Sequence, residues 1–213
     1  MINKITEDIS LYLPQYLSAN EKDSLKKELG EFSKNGTQKN IYTNALDKAN
    51  YLLQGDGICN VQYCNFPNTE IRQIPVLLLS NTCDMSLDNK RINPCRVSFA
   101  PLINLEKYQN QLLISLKDKD RVESHINDIK KQHITQILYL PKGGKLEYEA
   151  LVFFDMAISL PLNDELVKNM CENKLFTLSD FGFYLFLLKL SVHFTRVKEK
   201  IGRNTGVDYG AND

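Results

Sequence analysis

The segment FGFYLFLLKLSVHF, Phe181 to Phe194, limits the possible fold more than any other stretch. Read as a helix, it places aromatic and aliphatic side chains on every side over four turns, interrupted by Lys189 and His193. A helix that is apolar all round has to be covered on all sides. With 14 residues, a lysine and a histidine it is too short and too interrupted for a bilayer span. The expectation is a helix sandwiched in a core, or partly covered by another protomer or protein. Ser179 serves as its cap and Gly202 as its stop, which predicts about six turns. Beyond Phe194 the charge turns basic, with Arg196, Lys198, Lys200 and Arg203 against Glu199. Cations there suit the helix dipole, and they are also placed to extend a phosphate-binding rim.

The middle of the chain supplies strands. IPVLLLS, Ile74 to Ser80, is a continuous apolar run of strand length that suits a strand buried on both faces. GICNVQYCNF (Gly57 to Phe66) half-alternates and ends at the turn signal Pro67-Asn68. CRVSFAPLI (Cys95 to Ile103), HITQILYLP (His133 to Pro141) and YEALVFFDMAISL (Tyr148 to Leu160, with a kink) read as further strands. KDKDRVESHINDIKKQ is charged nearly all round, and its thin stripe of Val122, Ile126 and Ile129 predicts a surface helix with one seated edge. Strands with helices inserted and appended, not alternating as βαβ units, predict an α+β fold: a small, mostly antiparallel β-barrel or sheet.

The organisation expected along the chain is a helical N-terminal extension over residues 1–48, a core over 49–203 and a flexible tail over 204–213. In the extension, Pro14 interrupts ISLYLPQYL. Ser18 then caps an amphipathic helix carrying Leu25, Leu29 and Phe32, which stops at Gly36. The 213 residues, 43% apolar and 24% charged, allow one domain with a proper core. With 26 basic and 26 acidic residues, a globally basic nucleic-acid binder is not indicated, though a local patch stays open. The opening MINKITEDISLYLPQYL lacks the apolar core of a signal peptide. The odd count of five cysteines, Cys59, Cys64, Cys83, Cys95 and Cys171, agrees with reduced thiols in a cytoplasm. Their spacing matches no common zinc motif, and no metal or cofactor is expected.

Chemistry concentrates where the apolar run ends, at Ser80-Asn81-Thr82-Cys83-Asp84. RNA cleavage needs a base for the ribose hydroxyl and a cation for the phosphorane charge. Arg72 and Arg96 offer guanidinium forks matched to phosphate, Lys90 and Arg91 lie in the loop beside Cys83-Asp84, and Asp84 or His193 is a candidate base. Cys83 as a nucleophile needs a histidine, His193 or His133, and its neighbour Asp84 opposes thiolate formation. The alternative is that the charges are solvated loop residues, that Cys83 fills the sheet edge, and that Thr82 or Asp84 caps the turn.

Three stretches, LQGDGICNV (Leu53 to Val61), IRQIPVLLLSN (Ile71 to Asn81) and RVSFAPLINL (Arg96 to Leu105), fall in an order that resembles the PemK/MazF-like toxins. The resemblance covers residues 53–105. It implies an SH3-like barrel, a homo-oligomer or an antitoxin complex, and metal-independent cleavage of single-stranded RNA in a toxin or phage-defence type module. Carried over, Gly55-Asp56 matches the pair that opens the first strand, and Arg72 is the candidate for the family's catalytic arginine, three positions before Pro75 instead of directly before it. The hydroxyl residue expected after Pro101 is replaced by Leu102 and Ile103, and Ser80 to Asp84 stand apart from the pattern. The resulting candidates are Arg72, Asp84 and Cys83 for catalysis and Arg96, Lys90, Arg91, Ser80 and Asn81 for substrate binding. A non-catalytic module docking a protein partner through the apolar helix, and a hydrolase using Cys83, are the alternatives.

Overall fold

The computed structural model describes residues 20, 41–47, 49–89 and 92–195. The predicted N-terminal helices, the basic run after Thr195, the expected tail, and Lys90 and Arg91 lie outside the described residues.

Eight antiparallel strands form one open sheet. They are β1 (Tyr42–Thr43), β2 (Gly57–Cys64), β3 (Ile71–Leu78), β4 (Arg96–Asn104), β5 (Ile137–Leu140), β6 (Ala150–Phe153), β7 (Ile158–Pro161) and β8 (Lys174–Leu178). The strand order is β1-β8-β2-β3-β4-β6-β5, with β7 also on β4. The four helices among the described residues are α1 (Leu105–Leu116), α2 (Lys119–Lys130), α3 (Asp164–Glu172) and α4 (Asp180–Thr195). The α+β, antiparallel expectation therefore holds at the level of a sheet with helices inserted and appended.

Helix starts follow local chemistry. The Asn104, Asp118 and Asn163 side chains accept hydrogen bonds from the amides of Lys107, Arg121 and Leu166 at 3.0, 3.0 and 2.8 Å. Each satisfies an amide that has no partner within its own helix. The Ser179 hydroxyl does the same for Gly182 at 3.1 Å, as the sequence predicted. The kink expected between Tyr148 and Leu160 is a turn of 3-10 helix, Phe154–Met156, which divides one strand run into β6 and β7. Both pair with β4, at Leu102–Asn104 and Arg96–Phe99 respectively.

Alternation along the strands sorts side chains to two faces. Leu77, Ala100, Leu102, Leu138, Leu140 and Val152 meet α4 on one face. The opposite face is covered in two halves. Val76, Leu78, Val97 and Phe99 pack with Met170 of α3, while Ile137, Tyr139 and Leu151 pack with Val122, Ile126 and Ile129 of α2. The predicted stripe on α2 is thus its seated edge.

Four elements were not foreseen: α1, α3, β1 and β8. KLFTL is short and begins with lysine. Its place between β1 and β2 comes from pairing with residues more than a hundred positions away. The apolar helix is covered as required on the sheet side. Phe181, Tyr184, Leu185 and Phe186 are buried, Phe183, Leu187, Leu188 and Leu190 are half-buried, and Phe194 is exposed.

Where α4 begins, Ile41 crosses so closely that a Cβ on Gly182 would stand 2.2 Å from the Ile41 carbonyl oxygen. The same carbonyl accepts the Ser179 amide at 2.8 Å. Gly182→Ala must therefore push the β1 segment away. We expect a loss of about 1–3 kcal/mol, read as a lower urea midpoint, whereas Gly143→Ala displaces only the Tyr42 ring and should cost less.

Candidate functional site

The end of β3 is held in place by its neighbours before any chemistry is considered. The Ser80 hydroxyl accepts the Ser98 amide at 2.8 Å, and the Ser80 amide donates to the Ser98 carbonyl at 3.2 Å. Ser80 therefore clamps β3 to β4. Asn81 caps the single 3-10 turn Thr82–Met85, its side-chain oxygen taking the Cys83 amide at 2.9 Å. The cap is Asn81, which directly precedes the turn and takes one of its free amides. The Thr82 hydroxyl instead accepts the Gln54 amide at 3.0 Å, and the Gln54 side chain donates to the Leu79 carbonyl at 2.9 Å. Met85 is buried beneath this turn.

Cys83 and Asp84 consequently stand exposed at the sheet rim. Cys83 does not fill the sheet edge, since the turn directs Met85 inward in its place. The Asn89 side-chain amide donates to the Cys83 carbonyl, holding the following loop back on the turn. Beside it lies a cleft of about 400 Å³ lined by Tyr51, Leu52, Thr82, Cys83, Ser86 and Val167. Tyr51 is 51% exposed.

Arg96 begins β4 at the same end of the sheet, because the β3–β4 register sets Leu78 opposite Phe99. Its guanidinium donates to the Ser159 hydroxyl at 3.1 Å and to the Ser159 carbonyl at 2.8 Å. Arg72 lies at the other end of β3, beside the hairpin, paired with Glu70 at 2.6 Å. That pairing holds the Glu70 carboxyl below its ordinary range and raises the guanidinium. Eight residues of strand, about 26 Å at ~3.3 Å each, separate Arg72 from Ser80. Ser80, Asn81, Cys83, Asp84 and Arg96 thus share one end of the sheet, and Arg72 does not join them.

The histidines make their contacts elsewhere. His125 meets the Tyr108 hydroxyl at 3.1 Å, His133 meets Asp128 at 3.4 Å, and the His193 ring lies against Phe154 and Phe194. The positions that would follow Pro101 in the resemblance are filled by packing. Leu102 is in the core against α4, and Ile103 packs among the residues beneath α1 and α2.

Gly55-Asp56 has a structural role. Gly55 takes a positive φ of 87° and donates its amide to the Leu78 carbonyl at 2.9 Å, a turn that favours glycine. Asp56 is fully buried and ion-paired with Lys174 at 2.8 Å. It also accepts the Thr177 hydroxyl at 2.8 Å and the Leu53 amide at 2.9 Å. Burial pushes its carboxyl above the ordinary range, against the opposing pull of Lys174 and these donors.

Gln54, Tyr51 and Lys174 were not singled out in the sequence. Gln54 and Tyr51 sit in a polar passage without periodicity, and Lys174 opens a strand recognisable only by its partners. No protein-family model matches the chain, and no curated protein matches its sequence.

Asp56→Ala would leave Lys174, itself 9% exposed, buried without its counter-charge. The expected loss is about 3–5 kcal/mol by urea denaturation. A change under about 1 kcal/mol would mean that Lys174 reaches water without unfolding.

Proposed function

We propose that this chain is a PemK/MazF-like protein, derived from an SH3-like barrel, that binds single-stranded RNA in a toxin or phage-defence type module of a bacterial cytoplasm. The observation that carries the reading is the exposed Tyr51 beside the open cleft at the end of β3, with the hydroxyls and amides of Thr82, Ser86 and Asn50 on its walls. An exposed aromatic face next to polar groups is the arrangement on which unpaired bases stack without sequence preference. Arg96, and Lys90 and Arg91 in the loop sequence, add cations for the backbone phosphates.

The stretch behind the resemblance also supports it. Residues 53–105 form three consecutive strands, each paired with the next, opened by Gly55-Asp56. The free thiols of all five cysteines agree with a reducing compartment. Among the described residues no helix is long and apolar enough to cross a membrane.

Binding is the better supported part of this reading. Arg72 and Asp84 are too far apart to act on one phosphate, and apolar packing occupies the positions after Pro101. A second reading, a non-catalytic module that docks an antitoxin, another protein or a second copy through α4, draws on the exposed Phe194 and the half-buried Phe183, Leu187 and Leu190. A hydrolase built on Cys83 draws only on the exposure of that thiol.

The test is fluorescence anisotropy with a labelled mixed-sequence single-stranded RNA in EDTA, with gel analysis of the same samples. Tyr51→Ala is expected to weaken binding by about 5- to 150-fold, the range given by one base stack of ~1–3 kcal/mol. Arg96→Ala should weaken binding less at high salt than at low. Absence of binding by the wild type overturns the reading in favour of the docking module. RNA cleavage that Arg72→Ala abolishes would move the site to the hairpin end of β3.

A further inference from the structure

Lys189 is the one lysine on the apolar face of α4, 7% exposed. Its side-chain nitrogen donates to the Gln132 carbonyl at 3.0 Å and to the Ile134 carbonyl. Among the described residues no carboxylate pairs with it. An interior ammonium satisfied only by carbonyl dipoles carries a desolvation cost that no counter-charge offsets.

The carbonyls it holds belong to the joint between α2 and β5. Gln132 there adopts a φ of 61°, in the left-handed region that residues other than glycine seldom occupy. Its side-chain amide donates to the Tyr139 carbonyl at 2.6 Å and accepts the Tyr139 amide at 3.1 Å. β5 is the last strand of the sheet order, so the Gln132 side chain stands in for a missing neighbour strand on an open edge. Open edges of this kind recruit strands from other chains.

We propose that Lys189 is a proton-operated latch on the α2–β5 joint: its neutral amine keeps Gln132 on the edge of β5, and its protonation releases that edge. Burial pushes the amine down to about 7 from its ordinary 10.5, which places the transition near neutrality. The sign follows from linkage. The opened state binds the extra proton, so closure strengthens as pH rises from about 7 towards 10.5, and below about 7 both states are protonated and closure is weakest.

The other charged groups around the joint are His193, one turn further along α4, and Lys131 and His133, the latter with Asp128. Exposed Asp155 follows β6, and the linked Lys130, Glu149 and Tyr139 side chains lie on the other face of β5. Lys174 of β8 is engaged by Asp56.

Hydrogen exchange of the Tyr139 amide between pH 6 and 9, corrected for intrinsic rates, tests the latch. The opening constant is expected to be flat below about 6.5 and to fall about tenfold per pH unit from about 7.5. Lys189→Met should abolish the slope, and His193→Phe should retain it. A pH-independent wild type, a slope that survives in Lys189→Met, or one that disappears in His193→Phe overturns the proposal. Because Lys189→Met leaves two carbonyls without their donor, direct NMR titration of the Lys189 side chain in the wild type gives a second reading: a midpoint near 7 supports the latch and one near 10.5 overturns it.

Discussion

The buried pair of Asp56 and Lys174 is the contact on which the arrangement of the sheet depends. It joins the turn before β2 to the start of β8, residues 118 positions apart (174 − 56). Removing two charges from water is costly, and the cost is offset here only because every polar atom of Asp56 is engaged: the ammonium, the Thr177 hydroxyl and the Leu53 amide. Lys174 also donates to the Tyr51 carbonyl at 3.2 Å. The same ion pair therefore sets β8 beside β2 and fixes the backbone of the residue whose ring borders the cleft.

With β8 in place the remaining layers follow from alternation. β8 carries Phe176 and Leu178 to the face that α4 covers, and the tilted Tyr42–Phe176 ring contact, 4.7 Å between centroids, ties β1 to that face. The opposite face divides at β4, which pairs with β7 along its first half and with β6 along its second. That division creates two small cores in place of one. The first supports the turn at Thr82–Met85 through the buried Met85, and the second seats α1 and α2 over Ile103. The position at which the family resemblance calls for a hydroxyl is thereby committed to packing.

Local chemistry was the legible part of this fold. The cap of α4, the stripe Val122, Ile126 and Ile129, the central strand at Ile74 and the kink between Tyr148 and Leu160 all depend on residues within a few positions of one another. The site was legible in part. Ser80, Asn81, Cys83 and Asp84 were singled out because a polar cluster ends an apolar run, Arg96 because its guanidinium matches phosphate, and they do meet at one end of the sheet. Arg72 was assigned through the resemblance, although it lies three positions before Pro75 instead of directly before it. A strand converts that separation into length, so Arg72 ends beside Glu70 at the hairpin. Tyr51 and Gln54 carry no local signal, since their roles come from Lys174 and Thr82, which approach from other elements.

By itself the sequence determined that an all-apolar helix needs cover, that it is too short for a bilayer, and that the chain's strands make a mostly antiparallel sheet. Burial of apolar surface and alternation along a strand are written in residue type and spacing, so those conclusions need no coordinates. Only the tertiary structure decided that β8 inserts between β1 and β2, that Gly55-Asp56 serves an ion pair, and that Arg72 and Asp84 stand at opposite ends of β3. It also decided that Lys189 holds the joint bordering the open edge of β5. Each of these is a contact between residues far apart in the chain, and its energy depends on burial and register that exist only once the sheet has formed.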